Sequence, residues 1–301
     1  MSSATPTTPV IPTSTAGLTP EQVDELSAYG YVPTEWVCIM YVALFSITTA
    51  THLGQAIYTR CWWLLPTVGL CGALEIFGWA GRLWSAHEVL EKDPFMMQIV
   101  ATILGPTPLL AANFIVMGRL VGKLGPEFSR LSPRLYSILF LSCDLVSLIV
   151  QGVGGGIAAS ANDHENADLG GNIMLGGIAF QIVVITFFTA SSAEFLWRYS
   201  SNRPISRTTS TKIRGRASLP TKLQLALLLV AGSTGLLFIR AIYRTIELSD
   251  GWGGKIITTE VWFNIFDAAM VVVAMYLENA LHPGWLLAVE VDEGMYKLQD
   301  L

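Results

Sequence analysis

The side chains of this chain that could do chemistry are ionised groups set where ions are expensive. Glu75 and Arg82 stand seven residues apart inside residues 61–86, an apolar run long enough to cross a bilayer. On a helix, seven residues is nearly two turns, so the acid and the base share a face about 10 Å apart along the axis. Other apolar runs repeat the pattern. Asp144, Ser147 and Gln151 fall at i, i+3 and i+7, and Arg240, Arg244 and Glu247 at i, i+4 and i+7. Glu260, Asn264, Asp267 and Glu278 form one stripe, Gln181 stands mid-run, and Gln98 and Asn113 flank Pro106 and Pro108. An ionised group at the bilayer centre costs about 2.5–3.5 kcal/mol even on the lenient insertion scale, so these faces must turn away from lipid. Their chemistry is recognition: a carboxylate can receive an ammonium, and a guanidinium can hold a phosphate or another acid. Covalent chemistry has no visible apparatus. No nucleophile–base pair stands out, and His52, His87, His164 and His282 are scattered rather than convergent. No Gly-x-x-x-x-Gly-Lys-Ser/Thr loop exists to bind ATP. The sequence therefore points to no catalytic residue, no metal, no cofactor and no enzyme.

The elements that position these groups must be membrane helices. Of 301 residues, 52% are hydrophobic and 14% charged, with mean hydropathy +0.50, whereas soluble domains carry about 25% charged residues. The net charge of −5 is too small to suggest nucleic-acid binding. Cys38, Cys61, Cys71 and Cys143 lie in apolar runs and read as small packing residues rather than a disulfide framework. Seven runs, 34–58, 61–87, 94–120, 134–157, 172–197, 223–246 and 259–282, approach or exceed the ~20 residues a spanning helix needs. They are continuously apolar rather than alternating, which predicts an all-α seven-transmembrane-helix bundle and not a barrel.

Lys and Arg predict its orientation. The alternate loops holding Arg60, Arg119, Lys123, Arg130, Arg134 and the basic stretch 198–222, with the tail's Lys297, carry thirteen of them. The opposite side has Lys92 and Lys255 among Glu88, Glu91, Asp93, Asp163, Glu165, Asp168 and Asp250. This puts the N-terminus outside and the C-terminus in the cytosol. Residues 1–33, Ser/Thr/Pro-rich and without Lys or Arg, read as a disordered extracellular tail and not as a cleaved signal peptide. Residues 34–284 form the transmembrane domain and 285–301 a short cytosolic tail. The loop 198–221 is a topology determinant that could also meet anionic lipid or a cytosolic partner.

Placed by depth in that orientation, Arg82, Gln151, Arg240, Arg244, Glu247 and Glu260 occupy the outer half. Glu75, Asp144, Gln181 and Asp267 lie near the midplane, and Asn113 and Glu278 on the inner side. The expectation is a polar cavity open to the outside, with Asp267 paired to Arg240 or Arg244 and a kink at the two prolines. Gly154, Gly155 and Gly156 permit either close helix approach or a break. Seven spans with an outer N-terminus also describe retinal proteins and G-protein-coupled receptors. Every Lys, however, lies outside the mid-span, which removes the retinal Schiff base, and receptor signatures after spans three and seven are missing.

The ordered set of polar pieces resembles a fungal family, the lipid-translocating exporters of the aminocholesterol-resistance and sphingoid-base-exporter type. The pieces are Glu75-x-x-Gly78-Trp79-x-x-Arg82, Gln98 through Leu104-x-Pro106-x-Pro108-Leu109-x-Ala111-Ala112, and Asp144-x-x-Ser147-x-x-x-Gln151-x-x-Gly154-Gly155-Gly156. Gly177-x-x-x-Gln181, Arg240-x-x-Tyr243-Arg244-x-x-Glu247, Glu260 with Asp267, and His282-Pro283-Gly284 complete it. The resemblance implies seven spans, a fungal origin, a plasma-membrane or endomembrane site, and a role in moving or resisting amphiphiles such as sphingoid bases or sterol analogues. The reading that follows is non-ATP-driven translocation of lipids or amphiphilic small molecules, conferring resistance to toxic amphiphiles. Glu75, Arg82, Asp144, Gln151, Gln181, Arg240, Arg244, Glu247, Glu260 and Asp267 are the candidate binding residues. The alternative is a receptor-like sensor that binds a lipid without moving it.

Overall fold

A computed structural model describes residues 17–161, 164–205, 220–252 and 254–287. The expectations for residues 1–16, for the basic stretch 206–219 with Arg207, Lys212, Arg214 and Arg216, and for the tail 288–301 with Lys297 fall outside the described residues. Helix α1 (Pro20–Leu26) precedes the first spanning helix, α2 (Glu35–Thr59). A 3₁₀ turn, Trp62–Leu64, and a π-helical turn, Leu65–Gly69, lead into α3 (Leu70–His87). The third span is divided into α4 (Lys92–Leu104) and α5 (Pro106–Leu124). Next come α6 (Pro133–Ser160), α7 (His164–Ser200) and α8 (Thr221–Ser249). The last span comprises α9 (Glu260–Phe263), a π-helical segment Asn264–Ala269, and α10 (Met270–Ala280), followed by the single turn α11 (Pro283–Leu286). Seven of these segments are long and apolar enough to cross a membrane. The described residues contain no strand.

The chain runs up and down between two ends. One, the tyrosine end, gathers residues 27–34, the starts of α4, α7 and α9, and the ends of α3, α6 and α8. The other is the histidine end, with His282. Sequence neighbours pack antiparallel, and α8 closes the ring against α5, α7 and α10. The third span runs through the middle: 83% of its most apolar window is buried, against 33–56% for the other six. The outer surface carries Ile47, Ile57, Ile138, Ile149, Val183, Phe187 and Leu228, all exposed, while Glu75, Arg82, Asp144, Arg240, Arg244, Glu247, Asp267 and Glu278 are interior. That inversion is what a hydrocarbon solvent selects.

Sequence chemistry explains the irregular points. Pro106 has no N–H to offer the Thr102 carbonyl, and Pro108 none for Leu104, so the ladder is interrupted and the span divides at Gly105. The glycines of α6 allow close approach and not a break: α6 is continuous. A Cβ on Gly154 would lie 2.6 Å from the Met174 nitrogen and 2.7 Å from the Gly170 carbonyl oxygen. Helices α6 and α7 thus touch backbone to backbone, the approach small residues permit in membranes.

The expectation of a disordered stretch up to residue 33 is corrected for residues 17–33. Thr19 caps α1 in a reciprocal box with Gln22, and Tyr29 is buried against Phe95. Two tyrosines flanking Gly30 give this stretch enough aromatic surface to anchor it on the bundle, whatever its Ser, Thr and Pro content.

Candidate functional site

Most of the charge stripes converge on one interior. Arg244 is its centre. Its Nε and Nη2 donate to Asp267 Oδ1 and Oδ2 at 2.8 and 2.9 Å, a two-pronged pairing of α8 with the last span. Nη1 donates to Glu247 Oε2 at 2.7 Å, and Nη2 also to Thr102 Oγ1 at 2.7 Å. Tyr243 donates its hydroxyl to the other Glu247 oxygen at 2.8 Å. Arg240 sits one turn away. Its Nε forms an ion pair with Asp267 Oδ1 at 2.7 Å, without hydrogen-bond alignment. Its Nη2 donates to the Thr102 carbonyl, the group released by Pro106. The expected pairing of Asp267 with Arg240 or Arg244 is met by both. Asp267 itself lies in the π-helical segment, where Tyr41 donates to the Asn264 carbonyl at 2.7 Å; such segments recur at functional sites.

Towards the tyrosine end, Arg82 is enclosed. Its guanidinium carbon lies 4.7–5.6 Å from the ring centres of Phe263, Tyr29, Tyr31 and Trp79. Nη2 donates to Tyr31 Oη at 2.6 Å and to Glu260 Oε1 at 3.3 Å. Glu260 also accepts from the Thr34 N–H and hydroxyl at 3.0 and 2.7 Å. For Tyr29, outside the spans, burial pushes the phenol up to about 12, partly opposed by the Arg82 charge and the Ser85 hydrogen bond.

Glu75 differs from these acids. It is fully buried on α3, two turns from Arg82, and neither carboxylate oxygen has a hydrogen-bond partner. Close approach of α3 to the third span puts Oε1 only 2.7 Å from where a Cβ on Gly105 would stand. Glu278, nearer the histidine end, is likewise fully buried with both oxygens unpartnered. Beyond it His52 meets the Met275 carbonyl at 3.0 Å, and His52 Nδ1, His282 Nε2 and Asn279 Oδ1 lack partners.

Asp144, Gln151 and Gln181 form a separate network between α5, α6 and α7. Gln181 Nε2 donates to Asp144 Oδ1 at 3.0 Å and to Thr107 Oγ1 at 3.2 Å, and Gln151 Nε2 to Ser147 Oγ at 2.6 Å. Ser147 in turn donates to the Gly177 carbonyl at 2.7 Å. No cation pairs with Asp144 among the described residues.

All ten nominated residues are thus interior, but the expectation of a cavity open at the tyrosine end is corrected. Arg82 is 1% exposed, Arg240 5%, Arg244 and Asp267 0%; even Glu260 has only 17% of its side chain exposed. Residues 27–34 cover this end, which counting charges in the spans could not reveal. Sequence reasoning also missed Thr102, one turn before a proline, and Tyr29 and Tyr31. It noted Glu278 on the stripe without nominating it. Among the described residues no three His, Cys, Asp or Glu are placed to hold a metal ion.

A family model described as RTA1 like protein matches residues 68–290. A Saccharomyces cerevisiae protein named sphingoid long-chain base transporter RSB1 is 29% identical over 280 residues, covering 85% of this chain and 73% of that one. A Leptosphaeria maculans protein named lipid-translocating exporter-like protein RTA1 is 27% identical over 282 residues, 86% of this chain and 51% of that one. Protein RTM1 of Saccharomyces cerevisiae is 29% identical over 202 residues, 67% and 61% of the two chains. No solved structure gives a significant match.

Proposed function

We propose that this chain, which belongs to the RTA1-like family, moves amphiphiles with a cationic head group, of the sphingoid-base kind, across a membrane without hydrolysing ATP. One observation carries the reading: among the described residues, interior acids outnumber interior cations. Arg82, Arg240 and Arg244 are matched by Glu260, Asp267 and Glu247. Glu75, Glu278 and Asp144 remain, buried and with no described cation in ion-pair contact. A buried carboxylate is tolerated when something neutralises it. A long-chain base supplies one ammonium for such an acid and an apolar tail that stays among lipid-facing side chains. The arginines are bound to carboxylates, which disfavours the alternative use of this interior for a phosphate. The names of the two relatives, a sphingoid long-chain base transporter and a lipid-translocating exporter-like protein, favour the same class of cargo. In this reading the basic histidine end faces the cytosol, and export of toxic amphiphiles gives resistance to them.

The test is flux in liposomes containing only this protein, measured with a fluorescent long-chain amine. Protein-dependent movement that falls in Glu75→Gln at unchanged protein content supports the reading. No movement of any long-chain base or phospholipid overturns it.

A further inference from the structure

The box around Arg82 has the chemistry of a cation-recognition site that is already occupied by the chain itself. Four aromatic rings and one carboxylate surround a positive charge, the arrangement that binds ammonium ligands when it is vacant. Two of the four rings, Tyr29 and Tyr31, come from outside the spans, on residues 27–34; Trp79 and Phe263 come from the bundle. We infer that residues 27–34 are a gate over the polar interior, which opens to admit an alkylammonium head group and closes on it so that the head group takes the place of Arg82 in the box.

The segment is held by contacts that can be undone together. Tyr31 Oη accepts from Arg82 at 2.6 Å, and Tyr29 donates to Ser85 Oγ at 3.1 Å. Thr34 binds Glu260 through both N–H and hydroxyl. Within the segment, Ser27 Oγ accepts from the Tyr29 N–H at 3.1 Å and donates to the Tyr31 carbonyl at 3.0 Å. The turn depends on Gly30, whose φ of 73° and closeness to Thr258 leave no room for a side chain. The compact turn therefore moves as a unit. Arg82 is its latch, because the same guanidinium touches Tyr31 on the gate and Glu260 on α9.

Displacing Arg82 does not strand it. Its Nε already has no partner. On the same face of α3, two turns deeper, Glu75 has neither oxygen engaged. An incoming ammonium that takes Tyr31 and Glu260 frees Arg82 towards that acid, and the cation count and acid count of the interior come closer to balance. This inference rests on the proposed transport of cationic amphiphiles, so its test has two arms, one of which needs no transport.

The first arm locks the gate. A Cβ on Gly30 would lie 3.0 Å from the Thr258 Cβ, too close for the ~3.5–4.5 Å of a disulfide, so the lock is placed at the turn's other contact, Tyr29 with Ser85. Tyr29→Cys with Ser85→Cys, joined by a short bifunctional thiol reagent that a reductant cleaves, is compared with the same variant unjoined, in which Tyr31, Trp79 and Phe263 still line the box. Wild type and single-cysteine variants treated identically control for Cys38, Cys61, Cys71 and Cys143. Long-chain amine flux in proteoliposomes should fall to the protein-free level on locking and return on release. Flux unchanged in locked protein overturns the gate.

The second arm empties the box. Arg82→Ala in lipid nanodiscs should bind methylguanidinium saturably, read as a rise in thermal midpoint that wild type does not give. Adding Tyr31→Leu should weaken that binding about tenfold, the loss of one desolvated cation–aromatic contact. Arg82→Ser, which ends before the position of the arginine Cδ and so leaves room for methylguanidinium, substitutes if Arg82→Ala is not recovered folded. Absence of a saturable shift overturns the cation site. If wild type shows no flux, the transport reading falls by itself, and the methylguanidinium arm alone decides the box.

Discussion

Arg244 and Arg240 look interchangeable on α8, one turn apart and both on Asp267, yet the structure assigns them unequal costs. Arg244→Ala removes four charge-assisted bonds, two to Asp267, one to Glu247 and one to Thr102. Asp267 keeps Arg240, but Glu247 is left with the Tyr243 hydroxyl alone. One buried charge becomes uncompensated, at a cost of about 3–5 kcal/mol. Arg240→Ala leaves the two-pronged Arg244–Asp267 pair intact. Its clearest loss is the donor to the Thr102 carbonyl, which Pro106 cannot replace; an orphaned buried acceptor costs about 1–3 kcal/mol. The order of destabilisation is therefore Arg244→Ala over Arg240→Ala. Combining Arg244→Leu with Glu247→Leu should recover most of the loss, because Arg240 and Asp267 remain as a balanced pair. Thermal midpoints of purified protein in nanodiscs, with membrane abundance measured alongside, give the comparison. Arg240→Ala equal to or worse than Arg244→Ala, or a double variant no better than the single, would refute the pairing scheme.

Glu75→Gln and Glu278→Gln remove acids that make no hydrogen bond or ion pair to a described residue, so both should reach normal abundance while resistance to a long-chain amine falls; paired growth assays and surface blots check this. Arginine-bound Asp267→Asn should instead lower abundance, since it removes the one carboxylate charge that Arg240 and Arg244 share. Gly154→Leu should separate α6 from α7 and reduce folded yield far more than Gly152→Leu, because a Cβ on Gly152 meets nothing within 4 Å; size-exclusion profiles distinguish them. The Tyr29 phenol is raised to about 12 from the ordinary 10.0. Its contribution to holding residues 27–34 is thus fully present below pH 10 and lost as pH rises through about 12. The thermal midpoint should fall more in wild type than in Tyr29→Phe over that window and by equal amounts below it, the fall left in Tyr29→Phe including Tyr31, whose phenol burial also raises.

The spans were legible because a bilayer imposes length and apolarity directly on sequence. The seven apolar runs match the seven helices, with the largest departure at α7, which begins at His164 rather than near 172. That extension is polar, Asp168 included, and a hydropathy reading stops where polarity starts even though the helix does not. Pro106 and Pro108 announced the interruption of the third span. Their consequence, a freed carbonyl captured by Arg240, required knowing that α8 lies beside α4. The π-helical segment at Asn264–Ala269 left no signature in residue type, since its extra residue per turn is stabilised by tertiary partners such as Tyr41.

In the sequence, Glu75, Asp144, Glu247, Glu260, Asp267 and Glu278 are the same observation six times: an acid where acids are costly. Helical spacing tells which way each points and how deep it lies, but not which cation stands opposite, because that depends on the rotation of one helix against another. The structure separates them into two kinds. Glu247, Glu260 and Asp267 are held by arginines and hold the helices in register; among the described residues Glu75 and Glu278 have no hydrogen-bond or ion-pair partner, and Asp144 accepts only from an amide. A group that stabilises the fold resists substitution by lowering abundance, whereas one kept uncompensated contributes nothing to the fold that would explain its presence. The place to look for cargo is therefore the acid whose neutralisation leaves the protein intact, and Glu75, two turns beneath the caged Arg82 on the same helix face, is the first a head group would reach from the tyrosine end.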